Sequence, residues 1–130
     1  MSEHAPRYDE IARQIVDSAL TVHRALGPGL LEAVYEQCLA YELRARGIGV
    51  QRQITVPIRY RDAQIDAGLP MDMVVDGLVV VEIKAIEKLL PVHEAQLLTY
   101  LKFSGHRIGL LINFNVLLIK HGIKRMIAPA

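Results

Sequence analysis

The segment Val79-Val80-Val81-Glu82-Ile83-Lys84 constrains the fold more than any other part of the chain. Side chains alternate across a β-strand, so Glu82 and Lys84 share one face and Val81 and Ile83 the other. The apolar residues ahead of them, Leu78 to Val81, supply both faces, which marks a strand inside a sheet covered on both sides. A carboxylate and an ammonium on such a strand are costly to bury unless paired or metal-bound. The segment alone leaves two readings equally open, an ion pair at the exposed strand end or a reactive site.

Asp72 lies ten residues before Glu82, on the preceding predicted strand Met71 to Val75. Carboxylate oxygens are the hard ligands that Mg²⁺ takes. A lysine beside them can hold or help deprotonate a water, or stabilise charge on a phosphate oxygen. Asp76-Gly77 between the strands is a hairpin signal. A two-residue turn there would pair Val75 with Leu78 and Asp72 with Val81, turning Asp72 away from Glu82, because directly paired residues share a face. A three-residue loop, with Gly77 left-handed and a bulge, pairs Val75 with Val79 and Asp72 with Glu82. Asp-Gly is compatible with both turns, so the site is conditional on the bulged one.

Around this hairpin the elements follow from periodicity. Residues 1–7 read as a flexible tail. Ile11, Ile15, Ala19, Val22 and Leu26 predict a helix over Tyr8 to Leu26, ended by Gly27-Pro28-Gly29. A second helix runs from about Leu30 to Arg46, with Gly47 as its stop. Val50 to Tyr60 alternates as a strand, and 61–70 reads as a turn or a short, poorly patterned strand. Pro91 opens a third helix that lasts to about Phe103. Ile108 to Phe114 is an apolar run for a fully covered strand, and strands are expected at Val116 to Lys120 and Ile123 to Ile127. The order ααβββαββ predicts an α/β sandwich, a mixed central sheet flanked by helices. The length of 130 residues suits a single domain, 8–130.

Composition limits the functions. The net charge is +1, from 15 Lys and Arg against 14 Asp and Glu, so any basic surface for nucleic acid must be local or built by oligomerisation. With no Trp and two Phe, a stacking platform for single strands is disfavoured. Cys38 is the one cysteine and lies in an apolar helical pattern, where it reads as a small buried hydrophobe. No apolar run has membrane-spanning length and the N-terminus lacks a signal-peptide core, so a cytoplasmic protein without a membrane partner is expected.

Further candidate residues lie on the helices. Glu32 and Tyr35 are helical neighbours. Glu32 reads as a carboxylate that favours the helix dipole, and Tyr35 as a core residue whose hydroxyl fixes a carboxylate. His93, Gln96 and Tyr100 form a stripe, read as the polar side of an amphipathic helix or as site lining. His93 reads as a hydrogen-bonded structural residue within reach of a metal. Lys120, His121, Lys124 and Arg125 suit a phosphate path or, more plainly, a charge-guarded strand edge.

Gly29-Leu-Leu-Glu32-Ala-Val-Tyr35 matches Gly-x-x-Glu-x-x-Tyr at each named position. Further blocks follow in order: Tyr41-Glu-Leu43, Val81-Glu-Ile-Lys-Ala85, Gln96-Leu-Leu-Thr-Tyr-Leu-Lys102 and Gly109-Leu-Leu-Ile-Asn-Phe114. The sequence resembles the GxxExxY proteins, small bacterial and archaeal proteins on the PD-(D/E)XK nuclease-like fold. Gln96-x-x-x-Tyr100 is similar to a helix motif of RecB-type and lambda-exonuclease-type members. An arginine common shortly before the family's aspartate is replaced here by Leu69-Pro70-Met71. The resemblance implies a restriction-endonuclease-like core and a Mg²⁺ ion, with Mn²⁺ as substitute. Its ligands would be Asp72, Glu82 and the Ile83 carbonyl, with Glu32 completing the shell directly or through water. Lys84 would orient the attacking water, and Gln96 and Tyr100 would position the scissile strand or the carboxylates. The implied reaction is hydrolysis of DNA, or RNA, leaving a 5′-phosphate. Two other readings stand beside it: a non-catalytic nucleic-acid- or protein-binding module of the same fold, and an assembly subunit working as a homodimer.

Overall fold

Residues 5–129 are described by the computed structural model. Five strands form one sheet in chain order: β1 (Val50–Tyr60), β2 (Ala63–Val75), β3 (Val79–Lys84), β4 (Ile108–Asn113) and β5 (Ile123–Ile127). Only β3 and β4 run parallel. Parallel neighbours need a crossover connection, and the helix α3 (Pro91–Ser104) supplies it. The helices α1 (Ala5–Leu26) and α2 (Glu32–Ala45) precede the sheet.

Alternation along the central strands sorts the core into two layers. Val79, Val81 and Ile83 of β3 pack with Met73, Val75, Leu110 and Ile112 under Ile11, Ile15, Leu39 and Leu43 of α1 and α2. Val80 and Leu111 pack on the other side with Val74, Met71, and Leu97 and Leu101 of α3. Every residue of β4 is buried, as its apolar run requires. Each such aliphatic side chain contributes roughly 1.5–3 kcal/mol relative to exposure.

Three elements differ from the sequence expectation. Helix α1 begins at Ala5 rather than Tyr8, so 5–7 are not tail, and Arg7 pairs with Asp76 in the β2–β3 loop at 2.6 Å. Residues 1–4 of the expected tail lie outside the described residues. Strand β2 is one element of 13 residues rather than a turn followed by a short strand. Its ladder with β3 covers only Met73 to Val75, so the outer β1–β2 hairpin projects as a two-stranded arm. With little packed over the tip of the arm, burial imposes no alternation on residues 61–66, which are exposed. The expected strand at Val116 to Lys120 does not form; the chain turns there and enters a 3₁₀ turn, Ile119–Gly122. It must reverse from β4 into antiparallel β5, and Gly122 passes so close to the Asn113 carbonyl oxygen that a Cβ would lie 2.1 Å away. Among the described residues, no helix is long and apolar enough to cross a membrane.

Candidate metal centre

The hairpin register decides whether the acidic pair can meet. Val75 pairs with Val79, Val74 with Val80 and Met73 with Val81, leaving Asp76, Gly77 and Leu78 as the loop. Asp76 and Gly77 both have left-handed backbones, φ 55° and 67°, and the Leu78 N–H donates to the Val75 carbonyl at 3.0 Å. A tight turn thus carries one extra residue, and the register is the one that sets Asp72 opposite Glu82.

At that position the side chains take over from the backbone ladder. The Asp72 N–H donates to Glu82 Oε1 at 3.0 Å, and the Ile83 N–H donates to Asp72 Oδ2 at 2.7 Å. The two strands part there, and the carboxylates bridge the gap. The two carboxyls also meet directly, and a proton held on Glu82 is shared with Asp72. Glu82 is only 4 % exposed. Burial, then the charge of Asp72, pushes its carboxyl up to about 8. Asp72 is also raised, first by burial, with the Ile83 N–H opposing. Lys84 is half-buried on the Glu82 face, and its charge lowers both carboxyls without forming an ion pair among the described residues. A buried carboxyl and a half-buried one held side by side form a hard-oxygen donor set that suits a divalent cation.

The other predicted residues fall into distinct places. Tyr100 is buried on α3, and its hydroxyl is raised by burial and then by the charges of Glu82 and Asp72, so it lies in the field of the pair. Gln96 is exposed one turn earlier, and the two line a cavity of about 200 Å³ with Leu69, Val92, Ala95 and Thr99. His93 caps α3: its Nδ1 accepts the Leu90 N–H at 2.8 Å. The neutral ring then carries its proton on Nε2 and has no free lone pair for a metal. Tyr35 is fully buried and stacks on Phe114 with ring centroids 4.5 Å apart. Its hydroxyl donates to the Gly27 carbonyl at 2.5 Å and accepts the Leu30 N–H at 3.1 Å. It therefore ties the Gly27-Pro28-Gly29 turn rather than fixing a carboxylate, because helix α2 starts directly after that turn. Lys124 pairs with Glu94 at 2.9 Å and Arg125 with Asp9 at 2.7 Å, toward helices on opposite faces of the sheet, so the basic cluster does not form one track.

Glu32 is exposed in the first turn of α2 and has no hydrogen bond to Asp72 or Glu82 among the described residues. Its charge is the weakest of the influences raising Asp72. Among the described residues no three His, Cys, Asp or Glu side chains converge closely enough to hold a metal, so the direct carboxylate ligands available number two. The residue that sequence reasoning passed over is Glu36, 6 % exposed and one turn beyond Glu32. Its charge acts on Asp72 more strongly than that of Glu32. The i, i+4 spacing was a signal that both acids share a helix face.

A family model described as PD-(D/E)XK nuclease superfamily matches residues 9–126. No curated protein and no solved structure matches the chain. The match runs from α1 into β5, across the mixed sheet and the helices on its two faces: the chain belongs to the PD-(D/E)XK nuclease superfamily.

Proposed function

We propose that the protein is a Mg²⁺-dependent nuclease, with Mn²⁺ able to substitute, that hydrolyses phosphodiester bonds of DNA. The observation that carries this reading is the meeting of Asp72 and Glu82 across the parted strands with Lys84 on the same face. A divalent cation supplies Lewis-acid polarisation of a phosphate oxygen and lowers the pKa of a water. Asp72, Glu82 and the Ile83 carbonyl would hold such a cation, with Glu82 in its ionised form. Lys84 holds the attacking water and offsets charge growing on the phosphate. The Tyr100 hydroxyl keeps the carboxylates in place from the α3 side, and Gln96 offers its amide to the nucleic acid at the cavity rim. In-line attack leaves a 5′-phosphate. The Gly29 to Tyr35 motif supports placing the chain among the GxxExxY proteins, acting in the cytoplasm.

A second reading, a non-catalytic nucleic-acid- or protein-binding module that works as a homodimer, is favoured by the near-neutral charge and by the ion pairs that occupy Lys124 and Arg125. The test uses the purified protein and Asp72→Ala on plasmid, linear and single-stranded DNA with Mg²⁺ or Mn²⁺. Metal-dependent cutting that the variant loses supports the nuclease. Metal uptake without cutting of any substrate favours the second reading, and neither uptake nor cutting sinks the metal site altogether.

A further inference from the structure

The tip of the β1–β2 arm is built against local preference. Tyr60 pairs with Ala63, so Arg61 and Asp62 form a two-residue loop. Of the two, Arg61 takes a left-handed backbone, φ 54°. In such a loop the first position favours glycine when it is left-handed. A bulky residue held there is strained, and strain of this kind gathers at sites that clamp ligands. No acid draws the guanidinium into place. Neither Asp62 nor Asp66 pairs with it among the described residues, and Asp66 instead accepts the Gln64 amide at 3.2 Å. The guanidinium lies over the Tyr60 ring, 5.5 Å from its centroid.

The face that carries Tyr60 leads to the candidate metal centre. Ile54, Val56 and Ile58 are the less exposed residues of outer β1, and Ile54 and Val56 pack in the α3 layer. Side chains alternate along a strand, so Tyr60 falls on that same face. Val56 pairs with Leu69, and Ile58 with Ile65. Leu69 closes the cavity of about 200 Å³ with Val92, Gln96 and Tyr100 of α3. From Tyr60 back to Val56, at the level of Leu69, the strand covers about 13 Å. Tyr60, Ile65 and Val92 are 62 %, 42 % and 58 % exposed, so a largely apolar track is open from the arm tip to the cavity. Tyr100, at the inner end of that track, lies in the field of Asp72 and Glu82.

Apolar side chains offer a phosphate backbone nothing to bind. They suit the flat faces of bases, which an intact duplex keeps stacked inside. The cavity is smaller than the roughly 300–1,000 Å³ of pockets that take whole small molecules, and it suits one flat base. An aromatic ring stacks on any base, and an arginine beside it adds cation–π contact and meets a phosphate. The scarcity of aromatics argues against a platform of several rings, but the arm tip needs only one.

We propose that the β1–β2 arm and α3 clamp a single strand of nucleic acid with unpaired bases, Tyr60 stacking on one base and Arg61 meeting the phosphate beside it. This deepens the nuclease reading above, on which it rests, by naming the substrate class: a single strand rather than an intact duplex. Tyr60 and Arg61 bind the strand and do not touch the reacting atoms.

The test is fluorescence anisotropy of a labelled thymidine oligonucleotide, and of the same label on a duplex, with Ca²⁺ in place of Mg²⁺ and over a series of salt concentrations. The proteins are the wild type, Tyr60→Ala, Tyr60→Phe, Arg61→Gly and, as a second exposed tyrosine on another face, Tyr41→Ala. Stacking on one ring changes affinity by about 5- to 150-fold per base. The wild type is expected to prefer the single strand, and Tyr60→Ala to lose at least about 5-fold on it with the salt slope unchanged. Tyr60→Phe keeps the ring and should stay within about 2-fold of wild type. Arg61→Gly fits the left-handed turn, so it folds, and it should lower the single-strand slope by about 0.7. A wild type that prefers the duplex, or a Tyr60→Ala that binds the single strand as Tyr41→Ala does, overturns the proposal. Cleavage in Mg²⁺ separates the two readings. A protein that holds the single strand through Tyr60 yet cuts nothing keeps the clamp and loses the nuclease. One that cuts in an Asp72-dependent way, with Tyr60→Ala binding and cutting as wild type, keeps the nuclease and loses the clamp.

Discussion

At the scale of single residues, the carboxyl of Glu82 carries the sharpest consequence. Burial and Asp72 raise it from 4.5 to about 8 in the fold. Between those values the folded protein binds a proton that the unfolded chain releases, so stability falls as pH rises. The contribution is fully present below the unfolded value and is lost through the folded one. One pKa unit corresponds to about 1.4 kcal/mol, so the window is worth on the order of a few kcal/mol. Urea unfolding in chelator, from about pH 5 to about pH 9, should show this decline. Glu82→Gln should flatten it, and Mg²⁺ should restore stability at the alkaline end. A wild-type profile already flat across the window would show that the pair is not buried as described. Asp72, Glu82 and Lys84 were legible because strand alternation and one loop length fix their geometry locally. Glu36 was not, because what holds it is Arg52, sixteen residues on and in another element.

At the scale of elements, the β1–β2 hairpin shows why some strands announce themselves and others do not. Strands β3 and β4 lie between two helix layers and read as unbroken apolar runs. The outer part of β2 belongs to an arm with Tyr60 and Ile65 exposed near its tip, so composition there follows no burial pattern. Likewise Val116 to Lys120 has strand-like composition, yet Leu117 is 87 % exposed, and the need to reverse direction into β5 decides its conformation. What shapes the arm is backbone packing at Gly68. A Cβ there would stand 1.9 Å from the Val56 carbonyl oxygen, beside the register shift between Val56 and Ile58. No flexible side chain can yield in that contact, so Gly68→Ala must move one strand off the other. Overpacking of this kind costs about 1–3 kcal/mol, and the upper part of that range is expected in urea unfolding. Because the arm borders the Gln96–Tyr100 cavity through Leu69, the same variant should weaken DNA binding while leaving Mg²⁺ uptake within about 2-fold of wild type, since outer-shell losses begin near 10-fold. Wild-type stability in Gly68→Ala would mean that the strands do not approach as closely as described.

At the scale of the whole molecule, charge is balanced in number and also in space. Arg7, Arg46, Arg52, Lys124 and Arg125 pair with Asp76, Asp17, Glu36, Glu94 and Asp9, on several faces of the fold. Other basic residues, such as Arg24, Arg59, Lys88 and Lys102, make no ion pair among the described residues, but they are divided among α1, β1, the β3–α3 connection and α3, so a nucleic acid meets them a few at a time. Each duplex phosphate neutralised contributes about 0.9 to the slope of log affinity against log salt. The nuclease reading therefore predicts weak binding with a shallow slope, below about 4 in magnitude. Contact would be concentrated at Lys84 and the cavity beside Gln96. Fluorescence anisotropy of a labelled duplex, over a series of salt concentrations and with Ca²⁺ in place of Mg²⁺ to prevent turnover, measures it. Lys84→Ala should lower the slope by about 1, whereas Lys124→Ala and Arg125→Ala should each change it by less than about 0.5. A slope of about 6 to 10 would instead require a continuous basic track. In that event a second copy of the chain would have to complete the groove, because one copy divides its basic residues among separate elements of the fold.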